Sequence, residues 1–267
     1  MRLLVYRLPS MMASSPIRIG RFVVLALAIG YAGCSRDDRA ADSAAAQPPP
    51  APPATAPAPV DAPRVAPAET VDARPRIVVL GDSLTAGLGL SPADAYPTLL
   101  QGKIDAAGLP FRVVNAGISG DTSAGALSRL DLALEGDVRV LIVALGGNDG
   151  LRALPVEGLE RNLSAIVERA RRRGIAVVLA GMEAPPNFGP EYATAFRQAY
   201  ATVASRHGVV LLPFLLDGVA GVDALNQRDG IHPTADGARI VADHVWTVLE
   251  PLARAEQRRV RPKAAQG

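Results

Sequence analysis

The sequence predicts one α/β domain in which a doubly wound, five-stranded parallel sheet lies between layers of helices. Two observations lead to this prediction. Five short apolar runs, rich in β-branched residues, alternate along the chain with five longer stretches of helical pattern. The chain of 267 residues is also 49% hydrophobic, which is enough apolar material to bury one core of ordinary size.

The strands are predicted from apolar runs in which valine and isoleucine are frequent. We expect them at Ile77–Leu80, Phe111–Val114, Val138–Leu145, Ile175–Ala180 and Val209–Leu212. Helical patterns occupy Tyr96–Ala107, Ser123–Leu134, Glu157–Arg173, Glu191–His207 and Ala235–Leu252. Because strands that alternate with helices form parallel sheets covered on both faces, we predict a single flavodoxin-like α/β/α three-layer domain over residues 76–252.

Residues 1–33 have the pattern of a secretory signal peptide. Arginines precede an apolar run of eleven residues, Phe22–Ala32, which is too short to span a bilayer. The Ala-Gly-Cys sequence that ends at Cys34 is similar to a bacterial lipobox, although Tyr31 stands where a leucine-like residue is usual. We therefore predict a periplasmic protein that is tethered to the membrane through a lipidated Cys34. Ordinary cleavage nearby, with release into the periplasm, is the alternative.

Both segments that flank the domain are predicted to be disordered. Residues 34–75 are rich in alanine and proline, so they can form only a semi-extended linker. Residues 253–267 are expected to be a solvated basic tail. Residues 1–33 and 253–267 each carry four more basic than acidic groups, so the formal charge of +2 leaves −6 on residues 34–252. Such an acidic domain, with 4% aromatic residues, is not expected to bind nucleic acid.

A serine follows the first predicted strand, in the sequence Gly81-Asp82-Ser83-Leu84. Ligands bind at the carboxyl ends of parallel strands, and a serine hydroxyl at that place can act as a nucleophile. Taken alone, the tetrapeptide favours a simpler interpretation, in which Ser83 or Asp82 only caps a helix.

Glycine-rich turns follow the second and third predicted strands. The first covers residues 115–122 and includes Gly120, and the second covers residues 146–150 and includes Asn148. Glycine lets a backbone N–H approach a ligand closely, and an asparagine amide is a neutral donor, so together they are typical of an oxyanion site. Neither turn matches a phosphate-binding pattern. Tight turns without a function are the alternative.

A histidine near the C-terminal end supplies a candidate base. Asp229 precedes His232 by three residues, so its carboxylate can hold Nδ1–H of the imidazole while Nε2 faces the serine. His207 and His244 lie at a helix end and within the last helix, where structural roles explain them. With one cysteine and three scattered histidines, we expect no disulfide, no metal and no cofactor.

These four blocks, in this order, resemble the SGNH (GDSL) hydrolases over nearly all of residues 76–252. The similarity is greatest to the bacterial periplasmic thioesterases, arylesterases and lysophospholipases, because GDTS, GGNDGLR and LLPF before DGIHP recur in order. The resemblance implies that Ser83 is the nucleophile, His232 the general base and acid, and Asp229 the group that orients the imidazole. Asp82 is expected to be structural only. The implied oxyanion hole consists of the backbone N–H groups of Ser83 and Gly120 and the side chain of Asn148.

The resemblance also implies an apolar wall that binds the acyl group. Its expected members are Gly150, Leu151, Leu154, Ala184 and Pro185. Glu183 and Ala184 stand where an Arg-Leu pair is usual in this subfamily, so we expect a preference for short to medium acyl chains.

Three functions are consistent with these residues. The first is a serine hydrolase that acts on small carboxylic esters or thioesters through an acyl-enzyme. The second is an O-deacetylase of cell-envelope carbohydrates, and the third is a non-catalytic lipoprotein that binds lipids or partners in the same crevice. A binding protein has no need of a complete set of Ser83, His232, Asp229 and Asn148, which argues against the third.

Overall fold

The computed structural model describes residues 72–260 of the chain. Its centre is a five-stranded sheet in the order β2-β1-β3-β4-β5, and every neighbouring pair of strands is parallel. The predicted five-stranded parallel sheet is therefore confirmed. The predicted signal peptide, Cys34 and most of the linker lie outside the described residues. The strands are β1 Arg76–Gly81, β2 Arg112–Gly117, β3 Val138–Ala144, β4 Ala176–Ala180 and β5 Val210–Leu212.

Helices cover both faces of this sheet. They are α1 Ser83–Ala86, α2 Tyr96–Ala106, α3 Ser123–Ser128, α4 Leu130–Ala133, α5 Gly147–Leu151, α6 Val156–Arg172, α7 Pro190–His207 and α8 Ala235–Val260. Short 3₁₀ turns occur at Pro186–Phe188 and Asp223–Leu225. Helix α2 packs against α8, whereas α6 packs against α3 and α7. The sheet thus has α2 and α8 on one face and α3, α6 and α7 on the other, as the three-layer prediction requires.

The core is densest around the two central strands. Residues Ile77–Leu80 of β1 and Val140–Val143 of β3 are completely buried, whereas β2 and β5 at the edges are partly exposed. Branched apolar side chains suit this position because they pack on a pleated surface against helices on both faces. The pairing of Gly81 with Gly117 and Ala144 brings the ends of β1, β2 and β3 to one edge of the sheet.

The stretch predicted as one helix over Ser123–Leu134 is divided into α3 and α4 at Arg129. The guanidinium of Arg129 donates to the carbonyl oxygens of Gly81 at 3.1 Å and Ala116 at 2.9 Å. It also forms an ion pair of 2.7 Å with Asp121. These contacts tie the helix break to the ends of β1 and β2, which a helical sequence pattern alone does not indicate.

Helix α8 continues beyond the boundary that the sequence predicts. The disordered tail was expected to begin at residue 253, but α8 extends to Val260, so this prediction is wrong for residues 253–260. Ala253 and Glu256 are buried on the domain, and Glu256 pairs with Arg259 at 2.9 Å. No helix in the described part of the chain is long and apolar enough to cross a membrane.

Candidate active site

Ser83 is placed by a sharp turn between β1 and α1. It is the first residue of α1, and the carboxylate of Asp82 caps this helix by accepting a hydrogen bond of 3.0 Å from the Leu84 N–H. The turn requires glycine at position 81, because an added Cβ would lie 2.0 Å from Thr85 Oγ1 and 2.9 Å from the Ala144 carbonyl oxygen. The serine is therefore held at the end of a buried strand.

His232 and Asp229 reach Ser83 from a loop that precedes α8. The Nε2 atom of His232 lies 2.8 Å from Ser83 Oγ, and its Nδ1 atom lies 2.7 Å from Asp229 Oδ2. The other Asp229 oxygen accepts hydrogen bonds from the N–H groups of Ile231 at 2.9 Å and His232 at 3.0 Å. These bonds to the His232 backbone and ring, with the Ile231 N–H, hold the pKa of Asp229 well below its usual range. The structure thus brings together the three predicted catalytic side chains.

Gln227 fixes this loop to the nucleophile side of the site. Its backbone N–H donates to the His232 carbonyl oxygen at 2.7 Å. Its side-chain amide donates to the carbonyl oxygens of Pro233 at 2.9 Å and Leu88 at 2.8 Å. Because Leu88 lies two residues after the end of α1, Gln227 connects the loop that carries the base to the segment that begins with Ser83. The sequence motifs gave no indication of this residue.

The turns after β2 and β3 lie at the same edge of the sheet as Ser83. Gly120 has a φ of +81°, a conformation that glycine adopts without strain, and its carbonyl oxygen accepts a hydrogen bond of 3.1 Å from Arg152. Asp149 is buried and accepts hydrogen bonds from the Ser123 N–H at 2.9 Å and the Ser123 hydroxyl at 2.6 Å. These contacts hold the two turns against each other.

Asn148 lies near the start of α5, and its amide faces Asp82. The distance from Asn148 Nδ2 to Asp82 Oδ2 is 3.5 Å, the long end of the range for a hydrogen bond. Asp82 is only 2% exposed. Its burial raises its pKa to about 6, an effect opposed in part by the Leu84 N–H, the His232 ring and the Asn148 amide.

An apolar cleft of about 340 Å³ opens beside Ser83, Asn148 and His232. Three members of the predicted acyl-binding wall, Leu151, Ala184 and Pro185, line this cleft, whereas Gly150 and Leu154 lie outside its lining. Gly150 is buried against the Phe196 ring, and Leu154 lies near Tyr192, whose hydroxyl donates to its carbonyl oxygen. Gly120 also lies outside the lining. The main apolar side chains of the cleft are Leu151, Met182, Ala184, Pro185, Phe214 and Leu216.

The remaining histidines do not line this cleft. His207 Nε2 lies 2.6 Å from the Ser164 hydroxyl, and His244 Nε2 lies 3.0 Å from the Phe214 carbonyl oxygen. Within residues 72–260, no group of three or more histidine, cysteine, aspartate or glutamate side chains is arranged to hold a metal ion. That no metal or cofactor takes part stays a prediction.

Comparison with known proteins identifies relatives of this chain. Residues 79–240 match the GDSL-like lipase/acylhydrolase family. Esterase TesA of Pseudomonas aeruginosa is 44% identical over 177 residues, which cover 66% of this chain and 88% of that protein. The thioesterase 1/protease 1/lysophospholipase L1 of Escherichia coli is 37% identical, with coverage of 71% and 87%. An arylesterase of Vibrio mimicus is 34% identical, with coverage of 65% and 87%.

Solved structures show the same fold. The crystal structure of TesA superposes with a TM-score of 0.64 at 43% identity, over 66% of this chain and 99% of that one. The psychrotrophic esterase EstA from Pseudoalteromonas, inhibited by monoethylphosphonate, has a TM-score of 0.64 at 33% identity, over 67% of this chain and 98% of that one.

Proposed function

The chain belongs to the GDSL-like lipase/acylhydrolase family and is an ester hydrolase, and we propose that it cleaves carboxylic esters or thioesters through an acyl-enzyme on Ser83. The observation that carries this proposal is the unbroken chain of contacts from Ser83 Oγ through the His232 ring to the Asp229 carboxylate, at 2.8 and 2.7 Å. A nucleophile, a base and a group that orients the base are the parts that such a reaction needs.

The two half-reactions follow from these distances. His232 Nε2 accepts the Ser83 hydroxyl proton while Oγ attacks the ester carbonyl carbon, and the same nitrogen then gives the proton to the departing alcohol or thiol. A water molecule then gives a proton to His232 Nε2 and attacks the carbonyl carbon of the acyl-enzyme. His232 returns this proton to Ser83 Oγ as the bond between Oγ and the acyl carbon breaks, which releases the carboxylic acid and free Ser83. Asp229 holds Nδ1–H, so that Nε2 is the nitrogen that accepts the proton.

Negative charge on the carbonyl oxygen requires donors at the sheet edge. We assign this role to the backbone N–H groups of Ser83 and Gly120 and to the amide of Asn148. The position of Asn148 at the lining of the cleft beside Ser83 supports the assignment. Gly120 is included among these donors because Arg152, directly after α5, donates a hydrogen bond to its carbonyl oxygen and so holds its turn close to Asn148.

The cleft supports an acyl group longer than acetyl as the substrate. Its wall is predominantly apolar, so each methylene that it buries can contribute up to about 0.8 kcal/mol. We propose aryl and acyl esters of short to medium chain length as the best substrates, with lysophospholipids and thioesters in the accessible range. An acetyl group would fill only a small part of this apolar cleft, which favours an esterase over an O-deacetylase.

The proposal is tested with p-nitrophenyl butyrate. The protein should release p-nitrophenol, and an organophosphate should abolish this release by modifying Ser83 stoichiometrically. Ser83→Ala should lower turnover by about 10³ or more while the protein stays folded. Preference for acetyl over hexanoyl esters would favour the deacetylase, and no Ser83-dependent hydrolysis of any ester would refute the proposal.

We also propose that the enzyme is exported and tethered to the membrane through Cys34, which lies outside the described residues. The apolar segment before Cys34 and the proline-rich linker after it support this location. Cys34→Ala should move the protein from the membrane fraction to the soluble periplasmic fraction without a change in specific activity. Wild-type protein that is already soluble in the periplasm would refute the tether but not the enzymatic function.

A further inference from the structure

Asp82 is a buried carboxyl group that the proposed reaction does not use. Its side chain is 2% exposed, although transfer of a carboxylate from water into the interior of a protein is unfavourable. Its cap on α1 does not require a charge, because an asparagine or serine side chain accepts a backbone hydrogen bond equally well. The cap therefore leaves the buried acid at this position unexplained.

The two oxygen atoms of Asp82 contact two different parts of the site. Oδ1 accepts the hydrogen bond of 3.0 Å from Leu84 N–H, which fixes the turn that carries Ser83. Oδ2 lies 3.5 Å from Asn148 Nδ2 and beside Gly147, where an added Cβ would come within 3.1 Å of the oxygen. One carboxyl group thus joins the end of β1 to the start of α5.

We propose that Asp82 is a positioning residue that holds the Asn148 amide in the orientation of an oxyanion donor. A carboxylate accepts hydrogen bonds and donates none, so Oδ2 favours the rotamer in which Nδ2, and not Oδ1, of Asn148 faces the strand end. One hydrogen of the amide nitrogen then faces Asp82, and the second remains for the reacting oxygen. This inference rests on the proposed role of Asn148 and explains how that donor is oriented.

The charge state of Asp82 at the pH of an assay follows from its surroundings. Burial raises its pKa to about 6, so it is ionised at pH 8 and can accept from Asn148. The neighbouring titratable groups that interact with it are His232, Tyr96 and Tyr200. Burial raises the pKa of both tyrosines above the usual value, so both are neutral at pH 8. At pH 8, therefore, the kinetics of the wild type are those of the protein with an ionised Asp82.

The test is a double-mutant cycle at pH 8 with Asp82→Asn, Asn148→Ala and the combined variant. The oxygen of asparagine at position 82 can still accept the hydrogen bond from Leu84 N–H. Its amide nitrogen then faces the amide nitrogen of Asn148, and two donors cannot form a hydrogen bond with each other. We expect Asp82→Asn to lower kcat about 10- to 100-fold with KM within about twofold. In the Asn148→Ala background the same change should lower kcat less than about twofold, because no amide remains to be oriented.

Two controls separate positioning from a general loss of structure. Asp137→Asn makes the same chemical change at an exposed carboxylate before β3, where it pairs with Arg139, and should leave kcat unchanged. Asp82→Ser retains a side chain that can cap α1 but is too short to reach Asn148. If Asp82→Asn does not fold, Asp82→Ser takes its place in the cycle. Circular dichroism and active-site titration give the folded and active fractions.

The outcomes distinguish this inference from the proposed function. An equal loss of kcat from Asp82→Asn in both backgrounds would overturn the positioning role and leave the reaction on Ser83 intact. An unchanged kcat in Asp82→Asn would overturn it as well. An unchanged kcat in Asn148→Ala alone would refute both the oxyanion role of Asn148 and the inference that depends on it.

Discussion

The nucleophile and the base of this site are held by different kinds of structure. Ser83 follows the buried strand β1, between the buried residues Asp82 and Thr85. His232 and Asp229 lie in a loop, where the Asp229 side chain is 46% exposed and bonds mainly within its own loop. The strand side is thus part of the core, whereas the loop side is ordered by local hydrogen bonds. Changes on the strand side should alter stability and activity together, and changes on the loop side should alter activity alone.

The largest expected loss of kcat comes from Asp229→Asn, a change in the loop that carries the base. The amide can still accept the two backbone hydrogen bonds that order the loop, but it no longer holds His232 as the tautomer with Nδ1–H. We expect kcat to fall on the order of 10³ to 10⁴ while the melting temperature stays within a few degrees. Steady-state kinetics and thermal unfolding measure the two quantities on the same preparation.

Asp229→Ala is the matched variant, since it also removes the acceptor of the Ile231 and His232 N–H groups. It should lower kcat at least as much as Asp229→Asn, again with little loss of global stability. Unfolding of the whole domain in either variant would contradict the view that this loop is ordered locally.

A smaller loss is expected from Asn148→Ala on the strand side. Removal of the amide should lower kcat by about 10² to 10³, roughly 2.7 to 4 kcal/mol, because the donor acts mainly once negative charge develops. KM should change little. A rise in KM with an unchanged kcat would mean that Asn148 holds the substrate and not the transition state.

The two acids should also give opposite signs in the pH dependence of stability. Folding raises the pKa of Asp82 from 3.8 to about 6, so the folded protein binds this proton more tightly than the unfolded chain. The free energy of unfolding should therefore fall by about 2 to 3 kcal/mol as the pH rises from about 4 to 7, and Asp82→Asn should remove this fall. Asp229 has a lowered pKa, so its contribution is present above about pH 4 and is lost on further acidification.

Urea unfolding of the wild type and Asp82→Asn at pH 4.5 and 7.5 isolates the Asp82 contribution. The variant should gain stability relative to the wild type at the higher pH only. An equal difference between the two proteins at both pH values would show that the buried carboxyl does not titrate in this range.

The smallest effect concerns the cleft. Ala184→Leu adds apolar surface to a lining position, so it should shift the preference of kcat/KM toward longer acyl chains by a few-fold per buried methylene, from about 0.8 kcal/mol each. Esters from acetyl to palmitoyl measure the shift. Leu154→Ala is the control, since Leu154 lies outside the cleft and should leave the chain-length profile unchanged. A wild-type optimum at the longest chain would contradict the assignment of this wall.

The difference between core and loop also explains what the sequence could predict. Four of the five strands lie within one residue of their predicted bounds, because a short run of β-branched apolar residues is typical of a strand. Strand β2, at a partly exposed edge, ends three residues later than predicted, at Gly117. Helices α1 and α5 were missed because each is a turn of four or five residues beside glycine, too short for a helical period. The end of α8 was missed because a basic, polar segment gives no sign that Ala253 and Glu256 are buried.

Within the site, the sequence motifs identified the catalytic side chains but not all of the residues that contact them. Ser83, His232 and Asp229 come together as expected because the carboxyl ends of parallel strands share one edge. The contact of Asp82 with Asn148 joins residues that follow two different strands, β1 and β3, and Phe214 reaches the cleft from beyond β5. Such contacts depend on the packing of distant segments, which no local pattern contains. Gly150, which the resemblance places in the acyl-binding wall, packs against Phe196 and lies outside the lining of the cleft.

The direction of α8 has a practical consequence for handling the enzyme. The helix starts at Ala235, three residues after His232, and ion pairs of Arg239 with Asp94 and of Asp243 with Lys103 show that it runs alongside α2. Its 26 residues therefore extend about 39 Å away from the mouth of the cleft, toward the edge where β1 begins. Both ends of the domain thus leave on the side opposite the mouth. A bead or electrode coupled through either end would present the open cleft to the passing solution, and an immobilised catalyst should keep the KM of the free enzyme.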